Sequence, residues 1–168
     1  MSDRPTADDL AAIEIQLGRM PRDVHRIAYR CPCGKPGVVE TPPRLSDGTP
    51  FPTFYYATCP RLTGAISTLE TTGMMGEMSE RLKTDADLAG RYYAAHEDYQ
   101  AARAALGMVV PEVEGITAGG MPDRVKCLHS LIAHSLAAGP DVNPLGDEAL
   151  AALPQWWLVD PCSDQTTP

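Results

Sequence analysis

Residues 24–41 read VHRIAYRCPCGKPGVVET, and the fold is decided there. Val24 to Arg30 alternates in character, with Arg26 and Arg30 on one side and His25, Ile27 and Tyr29 on the other, as a half-buried strand does. CPCGKPG is dense in turn residues, and Val38 to Thr41 is again short and β-prone. Two strands joined by a cysteine-bearing turn predict a hairpin. Beyond it, PPRLSDGTPFPT (42–53) holds four prolines and one Asp-Gly, which excludes a helix. FYYATC (54–59) is aromatic and β-prone, a third strand. Consecutive strands tend to be neighbours, so an antiparallel meander is expected over 24–59.

Helical signals flank this sheet. Thr6 can cap a helix over 6–18, with Asp8 and Asp9 at its positive end, Leu10, Ile13 and Leu17 along one face, and Gly18 closing it. The stretch 62–153 is helical in pattern. Leu62, Ala65, Ile66 and Leu69 share a face, GEMSERLKTD gives a short helix, and Leu88, Tyr92, Ala95, Tyr99, Ala102 and Leu106 define the longest one. MPDRVKCLHSLIAHSLAAG (121–139) reads as one helix with Pro122 in its first turn, and NPLGDEALAALPQWW carries the last. The fold class is therefore α+β: a small three-stranded antiparallel sheet near the N-terminus packed with four to five helices. A length of 168 residues fits a single domain, 1–168, with a frayed tail at 160–168.

Net charge is −8, which argues against nonspecific binding to nucleic acid or to an anionic membrane surface. The charge is uneven: residues 1–62 hold eight Lys/Arg against seven Asp/Glu, the remainder six against fifteen. Arg19, Arg22, Arg26, Arg30 and Lys35 gather around the opening stretch, as a solvated basic face or as an anion-binding patch. No apolar run approaches a membrane span, and MSDRPTADDL lacks a signal-peptide pattern. A cytoplasmic location with reduced thiols is expected.

The cysteines carry the clearest chemistry. In an up-down-up meander the first and third strands end on the same side, so Cys31 and Cys33 should meet Cys59 at one sheet edge. Thiolates held on rigid turns suit a metal, and Cys127 is the candidate fourth ligand. Sulfur ligation favours zinc first and an iron–sulfur cluster second. CPCG is one residue short of the usual Cys-x-x-Cys knuckle, so reduced core thiols and a redox pair stay open as alternatives. Cys162 lies in the tail and is left out. If only three thiolates ligate, an open position could hold water, with His134, Asp47 or Asp123 as proton acceptor. His134 is equally readable as a satisfied core histidine, as are His25, His96 and His129. Gly119 and Gly120, placed before a helix start bearing Arg124 and Lys126, suggest a site for a small anionic ligand or else a plain turn.

Two long blocks, QLGRMPRDVHRIAYRCPCGKPGVVETPPRLSDGTPFPTFYYATCPRL and AGGMPDRVKCLHSLIAHSLAAGPDVNPLGDEAL, resemble the actinobacterial domain-of-unknown-function family 501, over about Gln16 to Leu150. That resemblance implies no catalytic residue. It gathers the cysteines, DGTPFPT and RVKCLH into one recognisable text, in keeping with a site built from both halves. Two functions follow. One is a cytosolic zinc protein ligated by Cys31, Cys33, Cys59 and Cys127, structural or hydrolytic. The other is a non-catalytic interaction module with reduced core cysteines, offering PPRLSDGTPFPTFYY to a protein partner.

Overall fold

The meander forms as the sequence predicts. Strands β1 (Arg26–Arg30), β2 (Pro36–Glu40) and β3 (Tyr55–Ala57) lie in the order β1-β2-β3, each pair antiparallel. Strict alternation fails within β1, where the register shifts on either side of Tyr29. Ile27 therefore packs beneath Val39 on one face of the sheet, while Tyr29 reaches the main core on the other. The computed structural model describes residues 3–158 and residue 162. Apart from Cys162, the expected frayed tail lies outside the described residues.

Among the described residues, six α-helices surround the sheet, rather than four or five: α1 (Ala7–Leu17), α2 (Pro60–Glu70), α3 (Met74–Thr84), α4 (Ala86–Ala104), α5 (Leu128–Ala138) and α6 (Pro144–Ala151). Helix α1 covers one face, burying Ile13 against Ile27 and Val39. Val38 and Tyr55 face the other way, into a core shared with Leu128, Leu131, Ile132, Tyr92 and Tyr99. Helix α5 is the centre of that core, with Leu131, Ile132, Ala133 and His134 fully buried. Gly146 lets α6 approach it closely, because a Cβ there would sit 2.3 Å from the Leu131 carbonyl oxygen. None of the described helices is long and apolar enough to cross a membrane.

The helix expected over 121–139 starts seven residues late. Gly119 and Gly120 adopt positive φ, and the chain folds back so that Lys126 N–H donates to Gly119 O (2.7 Å) and Arg124 N–H to Gly120 O (3.1 Å). A Cβ on Gly120 would meet Arg124 O at 2.7 Å, so this turn requires glycine. Helix α5 then begins at Leu128, with Cys127 as its N-cap.

One carboxylate ties α1 to the hairpin. Asp9 Oδ2 accepts from Thr6 N–H and Thr6 Oγ1 accepts from Asp9 N–H, a capping box. The same Asp9 takes both terminal nitrogens of Arg30, at 2.7 and 2.9 Å. Arg30 also donates to Asp3 and to Gly34 O, so it braces the cysteine turn directly. Arg26 is likewise engaged, by Glu40 across the ladder. These two members of the basic cluster are therefore paired within the chain, not held out for an anion.

The Arg30 guanidinium, by its hydrogen bonds above all, holds the Asp9 carboxyl far below the ordinary carboxylate range. A depressed folded-state pKa gives stability that is present above the unfolded value, near 3.9, and lost as the pH falls below it. Asp9→Asn is expected to cost on the order of 1.5 kcal/mol at neutral pH. In urea denaturation across pH 7 to 2, the gap between wild type and variant should close only below about pH 4.

Candidate metal centre

The turn after β1 is set by Gly34, whose φ of 85° lets its N–H donate to Cys31 O (2.7 Å) while Cys31 N–H donates to Lys35 O (2.9 Å). This places Cys31 inward and leaves Cys33 exposed. Gly37 faces the same sulfur, and a Cβ there would lie 2.9 Å from Cys31 Sγ and 3.0 Å from the Tyr29 ring. Across the sheet, Pro60 at the first position of α2 keeps Cys59 extended (φ −66°, ψ 118°). Cys59 is buried, and its thiol influences the titration of Cys31. Of the expected trio, Cys31 and Cys59 are buried and influence each other, while Cys33 points to solvent, so the three sulfurs do not form a tight cluster.

The fourth sulfur beside them is that of Cys162. Its Sγ lies 3.9 Å from Cys33 Sγ, and its thiol and that of Cys59 influence each other's titration. Electrostatic influence runs Cys31–Cys59–Cys162, and a direct contact joins Cys162 to Cys33. Two N–H donors close on this row: Trp156 Nε1 to Cys31 Sγ (3.5 Å) and Gln16 Nε2 to Cys162 Sγ (3.1 Å). The sulfurs titrate unequally. Cys59 pulls the Cys31 thiol down. Cys59 is drawn down by Cys162, but Cys31 and burial outweigh this and push it up. Cys59 and burial push Cys162 up strongly. Neighbouring sulfurs cannot all ionise without a cation among them.

Sequence position concealed Cys162. It stands in a polar tail, and its signal was the preceding Trp156-Trp157, of which Trp156 is buried and anchors the segment. Gln16 was missed because it lies on α1, remote in sequence from every cysteine.

Cys127 does not join the row. As the N-cap of α5 it meets His129 and Glu70 instead. Cys59 precedes α2 and Glu70 ends it, and eleven helical residues hold these ends roughly 16 Å apart. The late start of α5 is the cause, since a helix from Pro122 would have carried Cys127 within a turn of backbone rather than at its mouth.

The remaining candidates scatter. His134 is fully buried, donating from Nε2 to Asp98 (2.9 Å) and accepting at Nδ1 from Asn143 (3.2 Å), between the rings of Tyr55 and Tyr99. Burial lowers its pKa, and it is a satisfied core histidine. His96 is similar, held by Thr117 and Gln100. Asp47 is spent on a local turn, accepting from Thr49 N–H (2.9 Å). Asp123 is exposed in the 119–127 turn, and its N–H donates to Gly120 O. In that turn the amides of Arg124 and Lys126 are also consumed by Gly119 and Gly120, so no helix N-terminus faces an anion there. In the proline loop, Phe54 and Tyr55 are buried and Tyr99 Oη accepts from the Phe54 N–H (2.6 Å). Those two aromatics belong to the core, not to a recognition surface.

A family model described as protein of unknown function (DUF501) matches residues 27–151, well over half of the chain. The match takes in Cys31, Cys33, Cys59, Glu70, Cys127 and His129, and ends before Cys162. No curated protein and no solved structure matches.

Gly37→Ala tests the packing against Cys31. It is expected to destabilise the protein by about 1–3 kcal/mol, as overpacking does. It should also accelerate labelling of Cys31 and Cys59 by a thiol reagent while leaving that of exposed Cys33 unchanged. Gly64→Ala, in a helix with nothing near its Cβ position, serves as the control and should gain roughly 0.5–1 kcal/mol.

Proposed function

The chain belongs to the DUF501 family, and we propose that it is a zinc-binding protein whose four-thiolate centre, Cys31, Cys33, Cys59 and Cys162, fastens the hairpin, α2 and the C-terminal segment together. The observation that carries this reading is the pair Cys33 and Cys162, whose sulfurs stand 3.9 Å apart though far separated in sequence. Buried Cys31 and Cys59 lie electrostatically linked beside them, and an ion would have to draw the four closer together. Around a tetrahedral ion with bonds of about 2.3 Å, neighbouring sulfurs lie about 3.8 Å apart. The Cys33–Cys162 separation of 3.9 Å matches that edge. The N–H groups of Trp156 and Gln16 are the donors that metal-bound thiolates recruit, and they orient the sulfurs from outside.

Four thiolates fill a zinc ion's coordination sphere, so the role is structural and no water is activated here. The ion would take up the charge that the sulfurs cannot hold alone. A cross-link between residues 31 and 162 would also close most of the chain into one loop, which restricts the unfolded ensemble.

Elemental analysis of protein purified without added metal tests this. Zinc is expected at the centre in wild type and lost from it in Cys59→Ser and Cys162→Ser, with unfolding temperature falling on chelation. Iron with a visible charge-transfer spectrum would replace zinc by a cluster. Retention of all zinc in both variants would sink the proposal.

A further inference from the structure

A second group of ligating side chains lies at the far end of α2, apart from the four-thiol row. Glu70, Cys127 and His129 each offer one donor atom, all within 4.8 Å of one another. They come from the last residue of α2 and the first positions of α5, two helices that pack together. Each is half-buried, with the His129 and Glu70 side chains 31% and 24% exposed, so a small ion can enter without unfolding.

The hydrogen bonds around the group are arranged for an ion. His129 Nε2 is met by Thr63 O and Ser67 Oγ, both at 3.3 Å. That fixes the ring and leaves Nδ1 directed at Glu70 Oε1, 2.7 Å away. A histidine that gives its outer N–H to a backbone carbonyl while its inner nitrogen faces a carboxylate and a thiol is oriented as metal-bound histidines are. Glu70 is fixed as well, since Leu128 N–H donates to the same Oε1 at 3.0 Å. Ser130 Oγ lies 3.8 Å from Cys127 Sγ. Without an ion, the ring stands between two acceptors, Thr63 O and the Glu70 carboxylate.

The choice of cysteine is itself informative. Helix N-caps favour Ser, Thr, Asp and Asn, whose oxygens accept from the first amides. Cys127 makes no such cap bond; Glu70 Oε1 accepts the first amide of α5 in its place, which leaves the sulfur free of a capping role.

We propose that Glu70, Cys127 and His129 form a second zinc site, ligated through Oε1, Sγ and Nδ1, with its fourth position open to solvent. One thiolate and one carboxylate balance the dication, which suits a half-buried centre, and soft sulfur with imidazole selects zinc over calcium or magnesium. Three protein ligands with a vacant fourth position is the arrangement that holds an exchangeable water. On binding, the ion replaces the Nδ1 proton of His129 and the thiol proton of Cys127, releasing both to solvent.

Zinc is added to the metal-free full-length chain, excess is removed by dialysis, and the bound ion is counted. Wild type should hold one more zinc per chain than Glu70→Gln, Cys127→Ser or His129→Ala. Two of these keep the fold by construction: the amide introduced by Glu70→Gln retains an oxygen for Leu128 N–H, and serine is a better helix cap than cysteine. Circular dichroism of each variant guards the third. In parallel, zinc should slow iodoacetamide labelling of Cys127 at least tenfold in wild type and not in Glu70→Gln. If the count is the same in wild type and all three folded variants, or zinc leaves Cys127 labelling unchanged, the site does not exist. A single zinc that survives Cys59→Ser but not Cys127→Ser would uphold this site and remove the four-thiol one. The reverse pattern would do the opposite.

Discussion

Pro60 opens helix α2 directly after the last strand, and that constraint organises the molecule. Its ring fixes φ at the helical value and removes an N–H that the first turn does not need. It also disfavours helical geometry at the residue before it, and Cys59 is accordingly extended, two residues beyond the end of β3. Strand β3 and helix α2 are joined by two residues alone, and the sulfur of Cys59 is delivered to the sheet margin. Helix α2 then acts as a strut. One end is seated among the sulfurs of the hairpin and the other presents Glu70 to the mouth of α5.

Two arginines do the fastening that a small sheet cannot do for itself. A three-stranded sheet with a β3 of three residues has few ladder bonds, and the long loops beside it bring unpaired carbonyls. Arg103 is buried and donates to Pro52 O, Val113 O and Ile116 O, joining the proline loop to the segment after α4. No carboxylate is among those partners, so three carbonyl dipoles stand in for a counter-ion, and burial lowers the pKa of the guanidinium. Arg30 does the reverse, collecting the carboxylates of Asp3 and Asp9 at the base of the cysteine turn. Near the thiols, charge is matched locally.

What the sequence disclosed and what it hid divide along one physical line. Local chemistry was legible: the Thr6 cap, the Gly18 stop, the Cys31–Gly34 turn and the stripe of Leu88, Tyr92, Ala95 and Tyr99 are all where short-range rules put them. Topology followed, because a meander brings the ends of β1 and β3 together whatever their side chains. Backbone irregularities were not legible. The bulge at Tyr29 gives a periodicity count no signal. Although the Gly119–Gly120 pair was readable as a turn, the local bonds that carry it on to Lys126 and delay α5 were not. The second miss decided the site. By shortening α5 it moved Cys127 from a helix face to a helix mouth, and it left a place in the thiol row for a cysteine that the sequence pattern had consigned to the tail.

The two groups differ in what an ion would meet. In the row of Cys31, Cys59, Cys162 and Cys33, three sulfurs are buried and the flanking donors are an indole and an amide. An ion there would be enclosed by ligands of one kind, with Cys33 alone toward solvent, which makes it a fastening. Glu70, Cys127 and His129 are mixed in kind, half-exposed, and flanked by the hydroxyls of Ser67 and Ser130. Mixed ligands keep an ion's charge only partly neutralised by sulfur, and exposure leaves room for a fourth, exchangeable partner. A chain with both would hold its shape through one centre and face its surroundings through the other. The rigid length of α2 fixes the distance between them.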